Sequence, residues 1–182
     1  NNVILWVKSS FKNIKGTKIS SSAKLEKRNV SGIVFSNNDS KITLLGIPDK
    51  PGVAAKIFGS LADENINVDM IVQNISSDGK YSDLTFTISE TDLFKAKKCI
   101  DKIKNEIQVK SVLPDNNVAK ISIVGIGMRT NAGIAEDMFK ALGKQKINID
   151  LISTSEIKIS VLISRKNLKK AINILHKTYK LD

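Results

Sequence analysis

An α+β architecture of two βαββαβ units in tandem, the first inserted in the second, is predicted by three observations. The stretch at 42–71, ITLLGIPDKPGVAAKIFGSLADENINVDMI, recurs at 121–152 as ISIVGIGMRTNAGIAEDMFKALGKQKINIDLI, with two extra residues between strand and helix. Gly46 aligns with Gly125, Gly52 with Gly133, Phe58 with Phe139, Leu61 with Leu142, and Ile66-Asn67 with Ile147-Asn148. The repeat period, about 80 residues, is too long for a solenoid unit and suits a small domain. Each copy then runs through strand-like and helix-like apolar patterns in one order, and the second copy ends one strand short.

The elements follow in order. The chain opens in an apolar run, Val3-Ile4-Leu5-Trp6-Val7, without an initiating Met, as a fragment or processed piece would. It turns polar over 12–28, where Ser20-Ser21-Ser22 and Glu26-Lys27-Arg28-Asn29 read as linker. Residues 42–45 make a short buried strand, and Pro48-Asp49-Lys50-Pro51-Gly52 is a turn that starts a helix, with Pro where a missing N–H costs least. Val53, Ile57 and Leu61, flanked by Ala54 and Phe58, form one apolar helical face. Strands at 70–75 and 84–88 are joined through Asp78-Gly79, a hairpin signal. Leu93, Ala96, Ile100 and Ile103 make the second helix, capped by Thr91 or Ser89, and 109–113 the last strand. Strand, helix, strand, strand, helix, strand is the split βαβ, ferredoxin-like unit.

The second copy places strands at 119–124, 149–153 and 157–163, a helix over 133–145, and a last helix carrying Leu168, Ala171, Leu175 and Tyr179. The sequence stops at Asp182, so a fourth strand must come from elsewhere or leave a sheet edge open. VSGIVF at 30–35 is the unassigned apolar run of strand length, and it is predicted to complete the second sheet.

With 182 residues, 41% of them hydrophobic and 26% charged, the chain is globular and can bury real cores. No apolar run approaches the roughly 18 residues of a membrane span, so a cytoplasmic protein without membrane partners is expected. One cysteine, Cys99, excludes an internal disulfide, and with the single histidine, His176, leaves too few soft ligands for a zinc or haem site. The net charge of +11 invites a nucleic-acid reading. Its distribution argues against one: Arg28, Arg129 and Arg165 are the only arginines, and the lysines are scattered as on a solvated surface. RNA-binding RRM domains share this strand order but need exposed strand aromatics. Phe86 reads as the only aromatic in the first unit's strands, and none falls in the second unit's.

Candidate chemistry gathers at Gly46-Ile47-Pro48-Asp49-Lys50-Pro51-Gly52-Val53, where a strand ends and a helix starts. Free N–H groups and the helix dipole there favour an anion such as a carboxylate, by roughly 0.3–1 kcal/mol when exposed. Asp49 supplies the opposite charge, suited to an ammonium group, so the loop matches both ends of an amino acid. The alternative is a plain helix start with Asp49 facing solvent. Asn67-Val68-Asp69, Asn148-Ile149-Asp150 and Gln73-Asn74 are either ligand contacts or turn residues satisfying local backbone groups. Ser153-Thr154-Ser155-Glu156 is a hairpin turn or a binding segment. No catalytic arrangement is present: Cys99 and His176 sit beside apolar helix positions and read as structural. Gly125-Ile126-Gly127 lacks the third glycine of a dinucleotide loop, and no Walker-type loop occurs.

The segments GIPDKPGVAAKIF, INVDMIVQN, AKISIVGIGMR, INIDLISTSEIKISVLI and ILHKTYKLD resemble, in order and spacing, the regulatory region of bacterial aspartate kinase with its two ACT domains. The resemblance runs from 30 to 182, and NVILWVKSSF with Gly16-Thr17 is similar to the tail of that family's kinase domain. It implies kinase tail and linker at 1–29, a strand of the second ACT domain within 30–40, the first ACT domain at 41–114 and the second at 115–182. It implies a parent enzyme that phosphorylates the side-chain carboxylate of aspartate with ATP, toward lysine, threonine and methionine. The ATP and Mg sites would lie in the absent kinase domain, so this chain should be inactive alone, with no cofactor, metal or catalytic residue of its own. It further implies feedback inhibition, with lysine and/or threonine bound where ACT domains of two chains meet. Carried over by motif, effector contacts fall on Asp49, Gly52, Val53, Ala54, Asn67, Asp69, Gln73 and Ser76 of one chain and on Asn148, Ile149, Ser155 and Glu156 of the second unit. Implied partners are a second copy, a catalytic subunit, or both, and the chain is either part of the kinase or a separately translated regulatory subunit. The second-unit loop, Met128-Arg129-Thr130-Asn131-Ala132-Gly133, has Thr130-Asn131 where many relatives have Ser-His and lacks an aspartate. One effector class, at the first-unit loop, is therefore expected.

Overall fold

A computed structural model describes residues 5–11, 15–19, 29–129 and 131–181. The linker expected at Ser20-Ser21-Ser22 and Glu26-Lys27-Arg28 lies outside them, as does Thr130. β1 (Leu5–Val7) and β2 (Thr17–Ile19) form a two-stranded antiparallel ribbon. After β3 (Gly32–Ser36) come β4 (Asp39–Pro48), α1 (Val53–Ala62), β5 (Val68–Ile75), β6 (Tyr81–Ser89), α2 (Leu93–Ile103) and β7 (Ser111–Asp115). The chain ends with β8 (Val118–Val124), α3 (Gly133–Lys144), β9 (Leu151–Thr154), β10 (Lys158–Ser164) and α4 (Leu168–Thr178).

Two four-stranded antiparallel sheets result, ordered β5-β6-β4-β7 and β3-β8-β10-β9. β3 pairs with β8, Phe35 opposite Ile121, so the strand before the first unit closes the second sheet. The first unit is inserted between β3 and β8. Alternation sets the buried faces: Ile42 and Leu44 of β4 with Leu84, Phe86 and Ile88 of β6 meet Ile57, Leu61, Ala96 and Ile100 of the helices. Cys99 is buried in this core. Ala119, Ile121 and Ile123 of β8 with Val161 and Ile163 of β10 meet Met138, Leu142, Ala171 and Leu175 in the second.

Several boundaries differ from the sequence reading. β4 runs past residue 45 because a bulge between Leu44 and Ile47 lets the strand continue to Pro48. β7 lies two residues later than expected, since Val109 packs against the first core from the preceding turn. β9 likewise starts at Leu151, after Ile149 has turned into the second core. Neither Ser89 nor Thr91 caps α2. Their hydroxyls bond each other at 2.8 Å, and a 3-10 turn, Glu90–Asp92, leads into the helix. The two four-stranded sheets also hold two further aromatics, Tyr81 at the start of β6 and Phe35 in β3. Phe86 is fully buried, so it offers no stacking platform.

The units meet through a small apolar cluster, Met70 of β5 with Val118, Leu151 and Leu162 of the second sheet. Ion pairs ring it. Lys41 lies 3.6 Å from Asp115 and 3.5 Å from Asp150, and Lys120 pairs with Asp69. Arg165 donates to both Glu90 carboxylate oxygens, at 3.3 and 3.0 Å, and to the carbonyls of Val118 and Asp39 at 3.3 and 3.4 Å.

Candidate functional site

Polar groups face apolar surface where β4 hands over to α1. The β4 bulge is built on Gly46, with φ of 64°, whose N–H donates to Asp83 Oδ1 at 2.8 Å. A Cβ there would meet the Lys110 side chain at 2.5 Å. Beyond the bulge the Asp49 N–H donates to the Lys80 carbonyl at 3.0 Å, which pins the loop to the β5–β6 hairpin. Gly52 then takes φ of 90°, a left-handed conformation that costs other residues about 1–2 kcal/mol, and α1 begins.

A cavity of about 350 Å³ opens there, near the lower end of the range for small-molecule sites. Its apolar floor is Ile47, Ile57 and Leu84, all within 2% of full burial. No side chain caps α1, and among the described residues neither the Ala54 nor the Ala55 N–H has a protein acceptor. Opposite this positive helix end, Gln73 Nε2 donates to Asp49 Oδ1 at 3.3 Å and to Ser82 Oγ at 3.2 Å. The site thus offers backbone donors for a carboxylate, one carboxylate for an ammonium, and a greasy recess between them.

The equivalent place in the second unit is built differently. Asn131 Oδ1 accepts from the Gly133 N–H at 3.1 Å, so a side chain already serves the α3 start. The backbone entering β3 also crosses this loop. Gly127 N–H donates to the Asn29 carbonyl at 3.0 Å, and a Cβ on Gly125 or Gly127 would lie 2.3 or 2.5 Å from Asn29. The Gly-Ile-Gly turn therefore makes room for the polypeptide itself. Gly46 and Gly125, aligned in the repeat, are glycines for different reasons: backbone conformation in one, close approach in the other.

Of the residues singled out from sequence, Asp49, Gly52, Val53, Ala54 and Gln73 line this one cavity. Asn67 and Asp69 line a separate cleft of about 490 Å³ at the unit boundary, beside Lys120. Ser76 organises the β5–β6 turn: its hydroxyl donates to Asp78 Oδ1 at 2.6 Å and accepts from the Tyr81 N–H at 3.1 Å. Those bonds, first the Ser76 hydroxyl and then the Lys80 N–H, hold the Asp78 carboxyl below its ordinary range. Asn148 donates to Asp150 Oδ1 at 3.1 Å, and Ile149 packs into the second core. The Ser155 N–H donates to the Lys158 carbonyl at 2.7 Å, in the exposed β9–β10 turn that also holds Glu156. Within one chain these second-unit residues do not join the Asp49 cavity. Ser82 was missed, although a serine alternating with Leu84, Phe86 and Ile88 on an inward strand face is a legible sign.

No cluster of metal-ligating side chains occurs among the described residues, and no helix there is long and apolar enough to cross a membrane.

Two ferredoxin-like units, one inserted in the other, with a cleft of small-molecule size at a strand-to-helix junction of the first, define a tandem α+β module. A family model described as "ACT domain" matches residues 25–103 and 121–179, and the chain belongs to the ACT-domain family. Over its whole length it is similar to the regulatory part of aspartate kinases. It is 46% identical to the aspartate kinase of Pseudomonas fluorescens (strain SBW25), covering 100% of this chain and 44% of that protein. The chain thus spans less than half the length of the curated relatives it matches. A crystal structure of aspartokinase alpha and beta subunits contains a chain 43% identical, with TM-score 0.78, covering 84% of this chain and 99% of that one. The ligand-free regulatory subunit of aspartate kinase from Thermus thermophilus is 32% identical with TM-score 0.79, over the same shares of the two chains.

Proposed function

We propose that the chain senses an end-product amino acid, lysine and/or threonine, in the Asp49 cavity and so imposes feedback inhibition on aspartate phosphorylation by ATP in a catalytic domain outside this chain. The observation that carries the reading is the uncapped α1 start facing Asp49 and Gln73 across an apolar recess. The α1 N–H groups take the effector carboxylate, and Asp49 takes its ammonium. β5 is an edge strand with Ile71 and Ile75 exposed at 49% and 62%, which supports a second copy covering this side. Asn148, Ile149, Ser155 and Glu156 of that copy complete the cavity.

Titration calorimetry and thermal unfolding with lysine, threonine and methionine test this. Binding heat and a raised melting temperature are expected with threonine or lysine, and Asp49→Ala sharply reduces both. No heat and an unchanged melting temperature with lysine and threonine, singly or together, overturns it. A separately translated regulatory subunit is the second reading, favoured because the solved regulatory-subunit chain from Thermus thermophilus is covered over 99% of its length. Intact mass of the native protein separates it from a piece of a longer kinase.

A further inference from the structure

We propose that β5 is the coupling element between the candidate cavity and the second unit, and that Lys120 and Met70 are positioning residues which carry a ligand-dependent shift of that strand across the boundary. This rests on the proposed sensing role of the cavity and deepens it. The two faces of β5 do different work. On the helix-facing side Gln73, opposite Leu84, reaches Asp49 in the cavity wall. On the other side Met70, 4% exposed, inserts against Val118, Leu151 and Leu162, with Val72 packed beside it. The register shift between Val68 and Ile71 falls at Asp69 and Met70. It puts Asp69 where Lys120 of β8 pairs with it, while the Met70 N–H donates to Thr87 Oγ1 at 3.0 Å. Gln73, which positions Asp49, is thus four residues along one strand from the ion pair that ties this strand to the second sheet. Packed elements with such discrete contacts shift as units rather than deform continuously.

Hydrogen exchange on the intact chain tests the coupling in two arms. In the first, saturating threonine or lysine is expected to slow exchange in 47–57 and also in β8, 118–124. Lys120→Met keeps the change at 47–57 and reduces that at 118–124 at least fivefold. Asp69→Asn, which removes the same pair with little change of shape, behaves alike and guards against a misfolded Lys120→Met protein. In the second arm no ligand is used: Gln73→Ala alters exchange at 118–124 in the parent chain but not in the Lys120→Met background. Spread to 118–124 that persists undiminished in both Lys120→Met and Asp69→Asn overturns the proposal, as does a Gln73→Ala effect that ignores Lys120 or never reaches 118–124. Absence of any ligand effect at 47–57 overturns the sensing role instead, and the ligand-free arm then still decides the coupling.

Discussion

Gln73 holds Asp49 in place: its Nε2 donates to Asp49 Oδ1 at 3.3 Å and to Ser82 Oγ at 3.2 Å, tying the exposed loop carboxylate to a serine that is 4% exposed. The carboxylate is therefore oriented before any ligand arrives, which lowers the ordering cost of binding. Removing the charge by Asp49→Ala forfeits a charge-assisted bond of about 1.5–3 kcal/mol, or roughly 10- to 100-fold in affinity for an amino acid. Gln73→Ala leaves the charge and loses only its placement, so a loss of several-fold is expected. Calorimetry on both variants checks the order; equal losses would mean that Gln73 contacts the ligand itself.

Glycine substitutions separate conformation from crowding. Gly52→Ala meets no neighbour within 4 Å but must hold φ of 90°, a cost of about 1–2 kcal/mol. Gly127→Ala has an ordinary φ but puts a Cβ 2.5 Å from Asn29, and overpacking of this kind costs typically about 1–3 kcal/mol. Gly59→Ala, inside α1 with open space around it, is expected to stabilise by about 0.5–1 kcal/mol. Urea denaturation of the three variants gives the signs directly.

The fold was legible because its signals are local and repeated. The missing last strand and the unassigned run at 30–35 identified the closing strand, since an open edge beside an apolar run has one economical solution. The aspartate loop was legible because Pro51 and Gly52 mark a helix start that lacks a Ser, Thr or Asn cap. What was not legible depends on contacts distant in sequence. Arg165 reaches Glu90 and Asp39, and Lys120 reaches Asp69, pairings that no periodicity announces. The reason for Gly127, the crossing of Asn29 over its loop, is likewise invisible until β3 is in place.

Arg165 is the most heavily used side chain at the unit boundary. Its guanidinium serves the Glu90 carboxylate and two backbone carbonyls, with the Arg165 and Glu90 side chains 32% and 36% exposed. Arg165→Met keeps much of the stem but leaves Glu90 and the Asp39 carbonyl without this donor. A loss of about 1–3 kcal/mol is expected, the lower half of that range being favoured by the partial exposure of the pair. Glu90→Gln retains an acceptor and should lose less. If the boundary acts as one cooperative joint, Arg165→Met also broadens the thermal transition into two steps, because the units then unfold separately. Calorimetric and van't Hoff enthalpies that stay equal in the variant would show that the apolar cluster around Met70 suffices to couple them.

The Tyr179 hydroxyl donates to the Ile134 carbonyl at 2.7 Å, fastening the end of α4 to the start of α3. Burial first, and then the nearby Asp137 carboxylate, push its ionisation well above that of a free phenol. Below pH about 10 both folded and unfolded chains keep this proton, so the contribution of Tyr179 does not vary with pH. Above that, the unfolded chain releases the proton while the folded chain retains it. The unfolded state then binds fewer protons, and stability falls as pH rises. Tyr179→Phe removes both effects. At pH 7 it should cost about 0.5–1.5 kcal/mol for the lost hydrogen bond. Its stability should decline less steeply than the parent's as pH rises past 10, so the gap between the two proteins narrows. Urea denaturation at pH 7 and pH 10.5 measures the gap at both points; an unchanged gap would mean that the phenol ionises as readily in the folded chain as in the unfolded one, and a wider gap that it ionises more readily there.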